Sequence, residues 1–256
     1  MNKHIIAWDL DETLGSWIEL GVIWDAIKKT HDKPLSINDF FKLVNLFPEF
    51  IKPGTFTTLN MLKLKAQKDK NLKIILFTNN EGPQIWARYI VSYLNYSIGY
   101  ELFTDIIPAY KVNGRQIARC RTSYEKLYSD LINCINVPDG TPVCFIDDQY
   151  HEGMNVKHVK YIYIEPYNLT ISPQVVLTRL KNYKIAKNFL TPIVLRKIGY
   201  ILRSAHLDSH VYTRKMKAAA FKESDDTRNI IRKFLQYSPS TRKNRKYVNN
   251  KTMKRY

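Results

Sequence analysis

Four short runs of β-branched and aromatic residues recur along the chain, separated by longer segments with helical patterning. Each run is nearly continuous in apolar character, which is typical of strands buried on both faces of a sheet. The predicted strands are 4–8, 73–77, 142–146 and 159–164. The predicted helices are 17–30, 36–46, 55–69, 83–94, 123–134 and 173–204. This alternation predicts an α/β fold with a doubly wound parallel sheet.

The distribution of charge divides the chain into two parts. The 256 residues carry a formal net charge of +17. Residues 1–169 hold 19 basic and 19 acidic residues, whereas residues 170–256 hold 21 basic and four acidic ones. The whole excess therefore lies in the last third of the chain. We expect a neutral α/β domain over 1–169 followed by a basic C-terminal region.

The basic region itself has two kinds of sequence. Residues 170–238 contain apolar positions with helical spacing, so we expect a helical extension that packs on the α/β domain. Residues 239–256 hold seven basic residues and no acidic one, among Ser, Asn and Tyr. Such a composition predicts a disordered tail. The tail is a candidate for binding nucleic acid through phosphate contacts, and the alternative is a tail that only adds solubility.

Polar side chains follow three of the predicted strands. Asp9 and Asp11 come after the first strand, Thr78 and Asn79 after the second, and the pair Asp147-Asp148 after the third. Ligands of doubly wound sheets bind at the carboxyl ends of the strands, so we expect these groups to converge. Considered alone, Asp11 and Glu12 could equally begin a helix as its N-cap and first turn. The recurrence at three strand ends favours a Mg²⁺ site made of carboxylates.

The same groups would support phosphoryl transfer. One carboxylate can attack phosphorus to form an aspartyl-phosphate, which water then hydrolyses. A second carboxylate can protonate the leaving oxygen and later activate the water. A hydroxyl, backbone N–H groups and a lysine would stabilise the charge on the phosphoryl oxygens.

Three motifs resemble those of the haloacid dehalogenase (HAD) superfamily of phosphatases, over roughly residues 4–165. The string from Asp9 to Leu14, DLDETL, is similar to the first motif of the family, D-x-D-x-T, and especially to that of phosphatases acting on the C-terminal domain of RNA polymerase II. LFTN, which contains Thr78, resembles the second motif, and FIDD, which ends at Asp148, the fourth. The resemblance implies a Rossmann-like fold and a Mg²⁺-dependent phosphatase.

The resemblance also implies a role for each matching residue. Asp9 would be the nucleophile and a metal ligand, and Asp11 the general acid and base, with its backbone carbonyl on the metal. Thr78 and Asn79 would bind the phosphoryl group. Asp147 and Asp148 would hold Mg²⁺ directly or through water.

The lysine of the third motif has two candidates. Lys126 opens the predicted helix 123–134, 21 residues before Asp147, a separation that the family tolerates. Lys111 lies in a segment typical of a loop, farther from the following strand. We favour Lys126 as a catalytic and phosphate-binding residue. The alternative for Lys126 is a solvated surface lysine paired with Glu125 or Asp130.

The number of residues between the motifs limits the size of a cap over the site, and the cap in turn limits the class of substrate. Residues 14–50 leave room only for a small helical cap, and the segment from Thr78 to Asp147 leaves scarcely any. An uncapped site admits a phosphorylated macromolecule, and we favour a phosphoprotein. The alternatives are a nucleic-acid-end or nucleotide phosphatase, and a non-catalytic protein that binds nucleic acid or another partner. After Asp148 the chain reads QYHE, which departs from the polymerase-directed enzymes; we expect His151 to be a loop residue and not a metal ligand, because the acidic cluster already satisfies Mg²⁺.

The remaining features concern compartment and source. No apolar run approaches 18 residues, so we expect no membrane span. The first residues lack the long apolar region of a signal peptide, and Cys120, Cys134 and Cys144 show no CxxC pairing, so we expect reduced thiols in a cytoplasmic or nuclear protein. The abundance of Lys, Asn, Ile and Tyr is typical of AT-rich genomes, those of large DNA viruses among them.

Overall fold

A computed structural model describes residues 4–30, 34–182, 190–205 and 213–236. Within these residues a five-stranded parallel sheet is flanked by helices, which confirms the α/β class. The predicted tail, 239–256, lies outside the described residues. Within the described residues, no helix is both long enough and apolar enough to cross a membrane.

The strands are β1 (His4–Trp8), β2 (Leu72–Phe77), β3 (Phe103–Ile107), β4 (Lys111–Val112), β5 (Arg115–Gln116), β6 (Val143–Asp147) and β7 (Val159–Tyr163). The central sheet has the strand order β3-β2-β1-β6-β7. The four strands predicted from the sequence are present with ends shifted by no more than one residue, and β3 is a further strand at the edge. A two-stranded antiparallel hairpin, β4-β5, follows β3.

Helices lie between these strands and beyond the last of them. The helices are α1 (Trp17–Thr30), α2 (Ile37–Leu46), α3 (Thr55–Lys68), α4 (Gln84–Ile98), α5 (Tyr128–Cys134), α6 (Pro173–Asn182), α7 (Pro192–Ser204) and α8 (Arg214–Gln236). Three predictions need correction. Helix α5 begins five residues later than the predicted helix 123–134. The predicted helix 173–204 is two helices, α6 and α7, and the predicted helix 83–94 continues to Ile98. Helix α8 lies within residues 170–238, where a helical extension was expected.

The apolar strands have a simple physical explanation. Alternate residues of a strand point to opposite faces of the sheet. In β1, Ile6 and Trp8 pack into the larger core cluster, and Ile5 and Ala7 pack into the smaller one on the other face. Because helices cover both faces, neither set of side chains can be polar.

The C-terminal helices contact the α/β domain at several points. Helix α7 packs against α1, and α8 lies against α3. The Lys52 ammonium pairs with the Glu223 carboxylate at 2.8 Å, and the hydroxyls of Thr58 and Ser224 are 3.2 Å apart. Ile231 is fully buried in the larger cluster.

The expectation that all cysteines are reduced thiols is wrong for two of them. Cys120 and Cys134 form a disulfide, which links the segment before α5 to the end of that helix. The sequence did not predict this pair, because the two cysteines are 14 positions apart and so lack CxxC spacing. Cys144 is a free thiol buried in β6.

Candidate active site

The ends of three adjacent strands meet at the carboxyl edge of the sheet. Trp8, the last residue of β1, aligns with Leu76 of β2 on one side and Ile146 of β6 on the other. The residues that follow are therefore neighbours, and the Asp9 N–H donates to the Ile146 carbonyl at 2.9 Å. A cavity of about 230 Å³ opens at this point, lined among others by Asp9, Asp11, Thr78, Asn79, Lys126, Asp147 and His151.

Lys126 lines this cavity, and it is almost fully buried. Its Nζ donates to Asp9 Oδ1 at 2.5 Å and to Asp147 Oδ2 at 2.7 Å. Burial alone would lower the pKa of Lys126, but the two carboxylates outweigh it and raise the pKa above its ordinary value. The ammonium group is therefore a fixed positive charge, and the alternative of a solvated surface lysine is wrong.

Lys111, the competing candidate, lies in the hairpin strand β4. Its Nζ is 4.9 Å from the centre of the Tyr110 ring, and the residue does not line the cavity. Lys126 itself lies outside α5, two residues before its first residue, Tyr128.

The paired acids at the end of β6 are held by separate hydrogen bonds. Asp147 Oδ1 accepts from the Gln149 N–H at 2.8 Å. Asp148 Oδ1 accepts from the Thr13 hydroxyl at 2.7 Å, and the Asp148 N–H donates back to the Thr13 oxygen at 3.1 Å. Thr13 belongs to the first motif, so this exchange joins the two motifs directly.

Three carboxylates form a group with the spacing of a metal site. Asp9, Asp147 and Asp148 are buried, and each offers an oxygen within 4.8 Å of the others. Burial and the charge of Asp9 raise the pKa of Asp147 in spite of Lys126, and burial raises that of Asp148 to about 6. Such a group has more negative charge than Lys126 can balance, and its all-oxygen donors fit a hard divalent cation such as Mg²⁺.

Asp11 does not belong to this three-carboxylate group. Its Oδ2 accepts from Asn80 Nδ2 at 2.7 Å, and its buried Oδ1 has no hydrogen-bond partner within the described part of the chain. Burial raises the pKa of Asp11 to about 7, against the hydrogen bond from Asn80 and with the charge of Asp9 adding to the rise. A carboxyl group of this kind can hold a proton near neutral pH and can act as an acid. The predicted metal contact of Asp11, through its backbone carbonyl, stays a prediction.

A tight turn separates the two aspartates from the helix that follows. Glu12 has a left-handed backbone, with φ of 62°. Its N–H donates to the Gly15 carbonyl at 2.8 Å, and its own carbonyl accepts from the Tyr167 N–H at 2.8 Å. The alternative that Asp11 is a helix N-cap is therefore wrong, because α1 begins only at Trp17.

Thr78 and Asn79 line the β2 side of the cavity. The Thr78 oxygen accepts from the Asn80 N–H at 3.0 Å, which leaves its hydroxyl hydrogen available to a ligand. Asn79 Nδ2 donates to the Tyr124 carbonyl at 3.0 Å, and its buried Oδ1, an acceptor, has no partner among the described residues. Asn80 was not predicted as a site residue, although it contacts both Asp11 and Thr78.

A buried arginine supports the loop that carries Lys126. The Arg121 guanidinium lies 4.8 Å from the centre of the Phe77 ring. It donates to four carbonyls, at 3.0 to 3.3 Å, belonging to Thr78, Pro108, Tyr124 and Glu125. The sequence reading missed this residue, and a single arginine in a polar segment carries no signal that would reveal it.

His151 also lines the cavity, and it lies in a loop, as expected. Its Nε2 is 3.5 Å from Asp147 Oδ2, and its Nδ1 is 3.3 Å from Glu125 Oε1. Burial and the positive charge of Lys126 lower the pKa of His151, against the carboxylate of Glu125. A neutral imidazole here packs against the Asp147 carboxylate.

Comparisons with protein-family models, with curated proteins and with solved structures found no match to this chain.

Proposed function

We propose that this chain is a Mg²⁺-dependent phosphomonoester hydrolase of the HAD type, which acts through an aspartyl-phosphate on Asp9. The observation that carries the proposal is the position of the Asp9 carboxylate. It is hydrogen-bonded to the buried Lys126 ammonium at 2.5 Å, and it lies within 4.8 Å of oxygens of Asp147 and Asp148. A carboxylate with a purely structural role is usually balanced by a cation of its own. The Asp9 carboxylate instead shares the Lys126 ammonium with Asp147, and it lines an open cavity that a substrate can enter.

In the first half of the reaction, the Asp9 carboxylate attacks the phosphorus atom of the substrate. The bond from phosphorus to the leaving oxygen breaks, and Asp11 gives its proton to that oxygen, so that the free alcohol departs. The Lys126 ammonium and the Thr78 hydroxyl stabilise the negative charge on the phosphoryl oxygens. Asn80 holds the Asp11 carboxyl in place through its 2.7 Å hydrogen bond.

In the second half, water hydrolyses the aspartyl-phosphate. The Asp11 carboxylate takes a proton from the water, whose oxygen attacks phosphorus. The bond from phosphorus to Asp9 then breaks, and inorganic phosphate leaves with Asp9 and Asp11 restored. Asp9, Asp147 and Asp148 would hold Mg²⁺, which would offset the charge of these carboxylates and of the phosphoryl group.

Hydrolysis of an aryl phosphate tests the proposal, because such a substrate needs no contact outside the cavity. We expect the wild-type chain to release phosphate with Mg²⁺ and to stop when the metal is chelated. Mg²⁺ should also raise the melting temperature, because it binds the folded state. Asp147→Asn combined with Asp148→Asn should lose both effects, and Asp25→Asn, at an exposed ion pair of α1, should keep both.

Wild-type protein that binds Mg²⁺ but releases no phosphate would contradict the proposal. That result would favour a non-catalytic binding protein with the same fold. Equal stabilisation of the double variant and the wild type by Mg²⁺ would contradict the assignment of the metal site.

A further inference from the structure

A second and larger opening adjoins the candidate active site on the β3 side. It is a groove of about 650 Å³ between α4, the edge of the sheet and the β4-β5 hairpin. Thr78 and Asn80 line both this groove and the catalytic cavity, so the two adjoin. A molecule whose phosphate occupies the cavity can therefore extend into the groove.

The floor of the groove is the free edge of strand β3. The consecutive residues 103–106 all line it, whereas a groove over one face of a strand would be lined by alternate residues. Strand β3 ends the five-stranded order, and no strand of the described residues pairs with its other side. The groove therefore meets the backbone of the strand as well as its side chains.

The hydrogen bonds of β3 show which backbone groups point into the groove. The Thr78 N–H donates to the Ile107 carbonyl at 3.1 Å, so the polar groups of Ile107 point toward β2. Along a strand these groups alternate in direction from one residue to the next. The N–H and carbonyl of Ile106 therefore point away from β2, where an added strand would bind them.

Among the described residues, one positively charged side chain without an ion-pair partner lines the groove. Arg88 of α4 is exposed, and it forms no ion pair within the described part of the chain. Of the two acidic residues of the groove, Asp105 pairs with Lys73 at 3.1 Å, whereas Glu101 accepts from the neutral Asn95 amide at 2.9 Å and keeps its charge. Arg88 thus offers its own positive charge to the occupant.

We propose that this groove binds an extended peptide flanking the phosphorylated residue of a protein substrate, which adds as a strand to the edge of β3. This inference rests on the proposed phosphatase function and names its substrate class. Backbone pairing with Ile106 supplies affinity that depends little on sequence, as in other cases of strand addition. Arg88 favours an acidic side chain in that segment.

Ile106→Pro tests the backbone contact directly. Proline removes the outward N–H, and an edge strand tolerates it where the N–H is not part of the ladder. Ile106→Ala is the matched control, because it shortens the same side chain but keeps the N–H. We expect Ile106→Pro to raise the KM for a phosphopeptide about fivefold over Ile106→Ala, as the loss of one hydrogen bond implies.

Two further measurements test on which side of the phosphoresidue the peptide binds and whether Arg88 contacts it. Phosphopeptides extended on one side of the phosphoresidue should gain kcat/KM, and those extended only on the other side should not, because the groove leaves the cavity in one direction. Arg88→Ala should weaken the preference for an acidic flanking residue about threefold, in line with a partly exposed ion pair. Arg196→Ala, at an exposed arginine of α7, should leave the preference unchanged.

Aryl-phosphate hydrolysis separates this inference from the proposed function. Every variant should hydrolyse the aryl phosphate at the wild-type rate, so a wild-type chain that fails on it contradicts the function itself. An active chain with equal kcat/KM for the aryl phosphate and for all phosphopeptides would overturn the groove proposal alone. The groove proposal would also be overturned if Arg88→Ala lowered the turnover of a phosphorylated oligonucleotide. It would likewise be overturned if the chain were a dimer in solution and Ile106→Pro dissociated that dimer.

Discussion

Lys126 Nζ lies 2.5 Å from Asp9 Oδ1, although 117 residues separate the two in the chain. The contact joins the end of the first strand to the loop before α5, and it places a buried cation beside the proposed nucleophile. Because Lys126 also binds Asp147, it balances charge on two of the three carboxylates of the candidate metal site. Both the stability and the chemistry of the site depend on this lysine.

Lys126→Met should destabilise the metal-free protein. The change leaves the buried carboxylates of Asp9 and Asp147 without their cation, and breaking a buried pair in this way costs about 3–5 kcal/mol. We expect the free energy of unfolding in urea to fall by about that amount and phosphatase activity to be lost. Lys111→Met is the control, since Lys111 lies outside the cavity. The reverse result, with Lys111→Met inactive and Lys126→Met active, would reassign the third motif.

Arg121→Lys should weaken the loop that positions Lys126. A lysine keeps the charge but cannot reach four carbonyls with one planar group. We expect a loss of about 2 kcal/mol in unfolding free energy, because several buried carbonyls lose a charged donor. The kcat for an aryl phosphate should fall as well. Arg115→Lys, at an exposed position of the hairpin, should change neither quantity; an Arg121→Lys protein as stable and active as wild type would refute the supporting role.

The free energy of unfolding should fall as the pH rises through the range in which Glu19 loses its proton. This carboxyl group is buried beneath the C-terminal helices and accepts from the Ile171 N–H at 2.7 Å. Burial raises its pKa from 4.5 to about 7, against that hydrogen bond and with the charge of Glu49 adding to the rise. The folded state therefore binds the proton more tightly than the unfolded chain, so this contribution is complete below pH 4.5 and is lost as pH approaches 7.

Glu19→Gln tests this dependence, because its amide oxygen can still accept from Ile171 without titrating. Between about pH 5 and about pH 8, wild type should lose about 2–3 kcal/mol of unfolding free energy relative to Glu19→Gln. Urea unfolding at the two pH values measures the difference. Glu152→Gln, at an exposed position, should follow the wild type. If the unfolding free energies of wild type and Glu19→Gln changed equally between the two pH values, Glu19 would not titrate in that range.

The sequence predicted the centre of the site because parallel strands align their carboxyl ends. Once β1, β2 and β6 were recognised from their apolar runs, the positions of Asp9, Thr78 and Asp147 followed from sheet geometry. Strand β3 was missed because Thr104 and Asp105 interrupt its apolar run, as an edge strand allows. Its groove was missed with it.

Other features depend on contacts between distant residues, which periodicity does not reveal. The helix predicted from residue 123 begins at Tyr128 because Arg121 binds the carbonyls of Tyr124 and Glu125, which would otherwise accept helical hydrogen bonds. Asp130 further holds the preceding turn through the Thr122 N–H at 2.9 Å. The contact of His151 with Asp147 was not predicted, because nothing in the neighbouring sequence indicates it.

The turnover of an aryl phosphate by Asp9→Asn in saturating Mg²⁺ tests the central claim most directly. An amide of nearly the same shape is a poor nucleophile, so we predict that kcat falls by at least about 10³-fold while the far-UV circular dichroism stays that of the wild type. Asp25→Asn, measured beside it, should keep full activity. A folded Asp9→Asn protein with kcat within about tenfold of wild type would contradict the assignment of Asp9 as the nucleophile.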